Sequence, residues 1–365
     1  MNRLKRLWQE QRQAVWLDFI ERDLLTGGGL TRLVAEDGVR GVTSNPSIFQ
    51  KAIEGGGPYG EAVAGLLAAD PEMTTIQLYE ALAIEDIQHA ADILHSVWEE
   101  SRGGDGYVSF EVSPHLARDT EGTVAEARRL WRAVDRPNLM IKVPATPEGI
   151  PAIENLIGEG INVNATLMFS LADYEAVATA YLRGLEANSN PAGVASVASF
   201  FVSRVDTKID AALEAIGSPE ALALRGQAAI ANAKLAYRRF GELFGPEAFA
   251  PLTTRGAMVQ RPLWASTSTK NPDYRDVIYV EELIGQDTVN TLPVATLEAF
   301  RDHGEPRTSL LEDVAGADRV FADLAAVGVD IDAITAELQV EGVAAFAKSF
   351  DQLLGALDKA RSGSR

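Results

Sequence analysis

The sequence predicts a parallel α/β fold, a (β/α)8 TIM barrel with an N-terminal helix and a C-terminal helical extension. Three observations carry this reading. Short apolar strands alternate with amphipathic helices about eight times along the chain, the pattern of parallel strands joined by helical crossovers. No glycine-rich dinucleotide fingerprint follows the first strand, which argues against a doubly wound sheet. Polar residues fall near the C-terminal ends of at least six strands, where barrel enzymes build their active sites. The whole chain, 1–365, then reads as one barrel domain, with residues 308–360 as a helical extension packed on it.

The elements follow in order. Residues 3–13 suggest a surface helix. Residues 14–20 form an apolar strand with the lone carboxylate Asp18 near its end. A loop at 26–29 leads to a helix over 30–37. Residues 41–43 are a short strand running into Ser44-Asn45-Pro46-Ser47, where Pro46 suits the first position of a helix. The glycine-rich residues 54–60 suggest a mobile loop, and 73–99 a long helix. Residues 107–112 form a strand with Glu111 near its end. A helix carrying Val124, Ala127, Trp131 and Val134 comes next.

Residues 138–146 are an apolar strand that contains Lys142. Strand side chains alternate, so Met140, Lys142 and Pro144 share one face. Thr146-Pro147 opens a helix with Ile150, Ile153 and Ile157 on one side. Residues 161–169 are a further strand, and Ser170 caps the helix over 171–187. Residues 194–202 form a strand, with Arg204 and Asp206 just beyond it. A helix covers 220–243, and 261–266 is the next strand. Two segments compete for the last strand, 277–280 and 288–292. The second is preferred, because it leaves 274–284 as the connection before it.

Composition narrows the function. The chain has 365 residues, 46% hydrophobic and 23% charged, with a net charge of −19. That charge argues against general nucleic-acid binding, which needs a basic surface. No apolar run approaches the roughly 18 residues of a membrane span, and the N-terminus lacks the apolar core of a signal peptide. With no cysteine there is no disulfide framework or thiolate site, and the four histidines have no metal-ligand spacing. A cytoplasmic protein is expected.

Lys142 admits two readings. Its ammonium sits in water at the strand end, or it is enclosed and serves as an amine nucleophile, since desolvation disfavours the charged form. The company it keeps at other strand ends suits the second reading. Glu111, working through a water, could move the protons that imine formation requires. Asp18, on another strand, could take the proton from a hydroxyl as the neighbouring carbon–carbon bond breaks. Thr43, Asn45, Asn164, Thr166 and Ser199 could hydrogen-bond a polyol. Arg204 and Lys270 could bind a phosphate at the rim. Alternatively, Arg204 pairs with Asp206 or with an acid on a helix.

These segments resemble the transaldolases. The match is carried by Gly41-Val42-Thr43-Ser44-Asn45-Pro46-Ser47, Val108-Ser109-Phe110-Glu111-Val112, Ile141-Lys142-Val143-Pro144-Ala145-Thr146, the run INVNATLMFS over 161–170, Ser199-Phe200-Phe201-Val202-Ser203-Arg204 and Trp264-Ala265-Ser266-Thr267. They occur in the family's order, about one per strand, and look most like its longer bacterial branch. The resemblance implies a cofactor-free imine mechanism. It implies transfer of a dihydroxyacetone unit from sedoheptulose 7-phosphate to glyceraldehyde 3-phosphate, giving erythrose 4-phosphate and fructose 6-phosphate, a step of the non-oxidative pentose phosphate pathway. It assigns the imine to Lys142, water-linked acid/base work to Glu111, cleavage to Asp18 and the catalytic water to Thr166. Asn45, Asn164 and Ser199 would hold the dihydroxyacetone part, with Thr43 and Phe201 shaping the pocket. Ser266 would join the substrate contacts and Arg204 would take the phosphate. The implied partners are small sugar phosphates, with neither nucleic acid nor membrane, and a monomer or homodimer is expected.

One departure concerns the phosphate. The commoner transaldolases carry a second arginine shortly after the counterpart of Ala265-Ser266, where this chain has Thr267-Ser268-Thr269-Lys270. Lys270 could substitute as a point charge without the bidentate fork, and Ser268 or Arg261 could contribute instead. Two rival readings remain. Smaller relatives that cleave fructose 6-phosphate directly resemble transaldolases, but have glutamine where this chain has Glu111 and tyrosine where it has Phe201. A non-catalytic sugar-phosphate-binding barrel would be expected to lose Lys142, Glu111 or Asp18.

Overall fold

The computed structural model describes residues 2–55 and 57–363. Eight strands close into one barrel: β1 Gln13–Leu17, β2 Val39–Thr43, β3 Tyr107–Glu111, β4 Leu139–Pro144, β5 Val163–Met168, β6 Ser196–Phe201, β7 Arg261–Ala265 and β8 Thr288–Leu292. Each pairs in parallel with its neighbours in sequence, and β8 closes on β1. Nearly every strand residue is buried, as expected where side chains meet either the barrel interior or a covering helix. The preference for 288–292 over 277–280 holds: Ile278–Glu281 is a single helical turn. β-Branched residues there were overruled by closure, since the partner β1 must find is the strand that runs Gln13 against Thr288 through Leu17 against Leu292.

The N-terminal end of the barrel is plugged by charge. Asp105 is fully buried, yet it accepts from Trp16 Nε1 at 2.8 Å, Arg40 Nε at 2.8 Å and Arg261 at 3.3 Å. A buried carboxylate is tolerated when it is paired and hydrogen-bonded in this way. Arg261 therefore lies at the end opposite the C-terminal strand ends. It is excluded as a stand-in for the second phosphate arginine, because strand direction puts the first residue of β7 at the barrel's base.

Several helices depart from the sequence expectation. The first, Arg3–Gln11, lies at the surface as expected but ends two residues early and packs Leu4 and Leu7 inward. Residues 54–60 are not one loop: a helix ends at Glu54 and another begins at Pro58 and runs to Ala69. Proline at the first helical position restarts the helix, an effect that glycine content alone conceals. The segment beyond β6 is the helix Ser203–Ile216, with Arg204 and Asp206 in its first turn. Asp206 accepts from Ala229 N–H at 2.7 Å and the Tyr279 hydroxyl at 2.7 Å. It does not pair with Arg204. Residues 308–360 divide into helices Val314–Ala326 and Ile331–Gly363, preceded by Val294–His303.

The last helix lies across the C-terminal strand ends. Gln339 donates to the carbonyls of Ala145 at 2.9 Å and Leu167 at 3.3 Å, just past β4 and within β5. Its own Phe346, Phe350, Leu353 and Leu357 are buried against the barrel. Ser349 meets Ser47, on the helix Pro46–Glu54, at 2.7 Å. No helix among the described residues is long and apolar enough to cross a membrane.

Candidate active site

The C-terminal strand ends open into a cavity of about 1010 Å³. Its wall includes Asp18, Thr43, Asn45, Lys142, Thr166, Ser199, Phe201, Arg204, Ser266 and Lys270. Parallel register explains the convergence. Lys142 stands level with Glu111 on one side and with Asn164 on the other, and Pro144 stands level with Thr166. Residues level in neighbouring strands share a face of the sheet, so one inward layer collects the amine, the carboxylate and the amide.

Lys142 is 4% exposed, so its amine is enclosed and does not stand in water at the strand end. It lies 3.2 Å from Glu111 Oε2 and 3.1 Å from the Ser44 carbonyl. The Phe346 ring stands 5.7 Å away. Burial pushes the Glu111 carboxyl above the ordinary carboxylate range, against the opposing pull of Lys142. Glu111 Oε1 is buried with no hydrogen-bond partner, and so is Thr166 Oγ1. Buried polar atoms of this kind are commonly met by an ordered water molecule. Thr166 precedes Leu167, whose φ of 61° is left-handed and coincides with a register shift in β5. For a branched residue that conformation is strained. The Gln339 contact to its carbonyl helps hold it.

Asp18 follows β1 directly and keeps an opening onto the cavity while otherwise enclosed by protein. That enclosure raises its carboxyl pKa. The Thr43 hydrogen bond, at 2.7 Å, and the charges of Lys142, Arg204 and Lys270 oppose the rise. Thr43 also meets the Thr291 hydroxyl at 2.6 Å. Asn164 is occupied on both sides: it donates to Ser109 Oγ at 2.9 Å and accepts from Ser199 Oγ at 2.6 Å. Asn45 caps the helix Pro46–Glu54 through Ile48 N–H at 3.0 Å, and it also faces the cavity.

Glu111 and Asn164 do not line the cavity. They are level with Lys142 in the same layer but screened by their neighbours, Glu111 by Lys142 and Asn164 by Ser199. The rim is cationic. The Arg204 guanidinium lies 5.4 Å over the Phe201 ring and makes no ion pair among the described residues. Its burial pulls its pKa down. Lys270 donates to Ser268 Oγ at 2.6 Å. Ser266, at a left-handed φ of 57°, meets Ser203 Oγ at 3.0 Å.

Three contributors escaped sequence reasoning. Thr291 stands at the end of β8, where the strand-end rule applied to the other strands would have found it. The Ser44 carbonyl is backbone and carries no sequence signal. Phe346 comes from a helix about 200 residues after Lys142, and nothing in its own segment marks it as a wall of the site. Among the described residues no group of three histidine, cysteine, aspartate or glutamate side chains is placed to hold a metal ion.

A family model described as transaldolase/fructose-6-phosphate aldolase matches residues 15–357. A protein of Thiobacillus denitrificans named transaldolase is 52% identical, over 94% of this chain and 96% of its own. A transaldolase of Frankia alni is 50% identical, over 96% of each chain. One of Mycolicibacterium smegmatis is 50% identical, over 95% of this chain and 96% of its own.

Proposed function

The chain belongs to the transaldolase/fructose-6-phosphate aldolase family, and from that premise we propose that it is a transaldolase acting through an imine on Lys142. Its substrates would be sedoheptulose 7-phosphate and glyceraldehyde 3-phosphate, exchanged for erythrose 4-phosphate and fructose 6-phosphate. The observation that carries the residue assignment is the enclosed Lys142–Glu111 pair at 3.2 Å, beside a cavity onto which Lys142 and Asp18 both open.

The geometry supports a definite sequence of steps. Glu111 takes a proton from the Lys142 side chain, and the freed amine adds to the ketone carbon of the donor. Glu111 passes that proton to the new oxygen, then takes a second from the nitrogen and gives it to the hydroxyl, which leaves as water. The unpartnered Thr166 hydroxyl and Glu111 Oε1 suit that water. The protonated imine then draws the electrons of the adjacent carbon–carbon bond. Asp18 removes the proton from the hydroxyl on the far carbon, and the aldehyde departs. A carboxylate whose pKa is raised is a better base for this step. The three-carbon enamine stays on Lys142 and adds to the acceptor aldehyde, with Asp18 returning the proton. Water, activated by Glu111, finally hydrolyses the imine. Thr43, Asn45, Ser199, Phe201 and Ser266 would position the sugar, with Asn164 holding Ser199 in place. Arg204 and Lys270 would meet the phosphate. The chain works as one domain in this reading, with its C-terminal helix part of the site wall.

Borohydride reduction in the presence of fructose 6-phosphate tests the assignment. The expected result is a three-carbon adduct on the Lys142 peptide. Activity that persists with no adduct there would overturn it. Free dihydroxyacetone formed without any acceptor aldehyde would favour direct aldol cleavage instead.

A further inference from the structure

We propose that Lys51 is a third cationic contact for the substrate phosphate, completing an anion cradle with Arg204 and Lys270. The proposal deepens the transaldolase reading and rests on it for the identity of the anion.

Lys51 lies in the last turn of the helix Pro46–Glu54, whose N-cap is Asn45. Residues three and four apart on a helix share a face. Ser47, Ile48 and Lys51 have this spacing, and all three line the cavity. The same helix thus brings Asn45 to the cavity from its start and a cation from its end. Lys51 has an acid on its own helix at the right spacing, Glu54, but Glu54 accepts from Gln50 at 3.2 Å. No ion pair joins Lys51 to any carboxylate among the described residues.

Arg204 and Lys270 share that condition. These three of the cavity's cations make no ion pair among the described residues, in a chain whose net charge is −19, and Asp18 acts on Arg204 and Lys270 only across the cavity. Elsewhere on this surface most arginines are paired: Arg128 with Glu159, Arg136 with Asp92, Arg238 with Asp318. Like charges gathered without counterions repel, and the repulsion of Arg204 and Lys51 lowers the Lys270 pKa, second to its burial. A dianion between them attracts all three and outweighs that repulsion. A phosphate monoester carries that charge at neutral pH, whereas the reacting carbons of the sugar do not. Lys51 accordingly recognises the phosphate end and supplies the charge that the second arginine gives in commoner relatives. A mobile lysine on a helix end also suits donors of different length, since its reach adjusts where a fixed fork would not.

The test uses the full chain and the variants Lys51→Met, Lys51→Arg and Lys348→Met. Lys348 is exposed on the C-terminal helix and does not line the cavity, so it controls for loss of one positive charge. Inorganic phosphate is titrated by calorimetry, and the KM for fructose 6-phosphate is measured beside kcat. Lys51→Met should weaken phosphate about tenfold and raise KM by a similar factor, the size expected of one charge-assisted contact. Its preference for fructose 6-phosphate over unphosphorylated fructose in borohydride trapping should fall by the same ratio. Lys51→Arg should recover most of the loss, and Lys348→Met should match the parent. Unchanged phosphate affinity and KM in Lys51→Met, or equal losses in Lys348→Met, would overturn the proposal. Phosphate titration reads the cradle even in an enzyme that transfers nothing, so failure of the wider reading shows separately as a parent without imine or transfer.

Discussion

The two carboxyls of the site are held above their ordinary range by burial, and this couples function to stability at single residues. A carboxyl with a raised pKa binds its proton more tightly folded than unfolded. Its favourable contribution is complete below the unfolded value, about 4, and is lost as pH rises through the folded value. At neutral pH, Asp18 is therefore a destabilising charge kept for its chemistry. Replacing it with the isosteric amide keeps an oxygen for the Thr43 hydroxyl and removes the charge. Asp18→Asn should abolish transfer while raising the thermal midpoint at pH 7 by about 2 °C or more. The gain should shrink as pH falls toward 4, where the native carboxyl is protonated. A midpoint difference independent of pH would contradict the burial argument. Asp18 itself was legible in the sequence as a lone acid ending an apolar strand. The screening of Glu111 and Asn164 from the cavity was not, because the side chains that cover them, Lys142 and Ser199, come from neighbouring strands that meet only in the fold.

At the scale of elements, the barrel depends on close approach between strands. Gly41 in β2 faces the Trp16 indole, and a Cβ there would lie 2.5 Å from two ring atoms. The indole cannot retreat freely, because its N–H is bonded to Asp105. Gly41→Ala should cost about 2–3 kcal/mol by overpacking, read from urea unfolding midpoints. A neutral result would mean that β1 and β2 can separate without loss. Strands and the amphipathic helices between them were readable from period and length, since both depend on local alternation. The helices Ser203–Ile216 and Val294–His303 were not singled out. The first begins at Ser203 with no capping side chain, and the second follows Pro293 with no side-chain cap, so neither announces its start.

For the molecule as a whole, a net charge of −19 sets a repulsive background around a cationic cavity rim. Screening weakens repulsion between exposed charges more than it weakens the buried pairs. The thermal midpoint should therefore rise as sodium chloride goes from about 10 mM to about 150 mM, where the Debye length falls to about 8 Å. A falling midpoint would mean that the surface ion pairs outweigh the net charge.

The sequence by itself determined the fold class, the direction of the strands and the residues at their C-terminal ends, because alternation, strand length and chain direction are local properties that follow from backbone geometry. It also carried the resemblance on which the imine assignment to Lys142 rests. Only the tertiary structure decided that Lys142 is enclosed, that Arg261 lies at the barrel's base, and that Phe346 and Lys51 border the cavity. Those facts depend on how distant segments register and pack. Burial and charge pairing are properties of neighbours in space, and the closing of the barrel and the crossing of its last helix choose those neighbours.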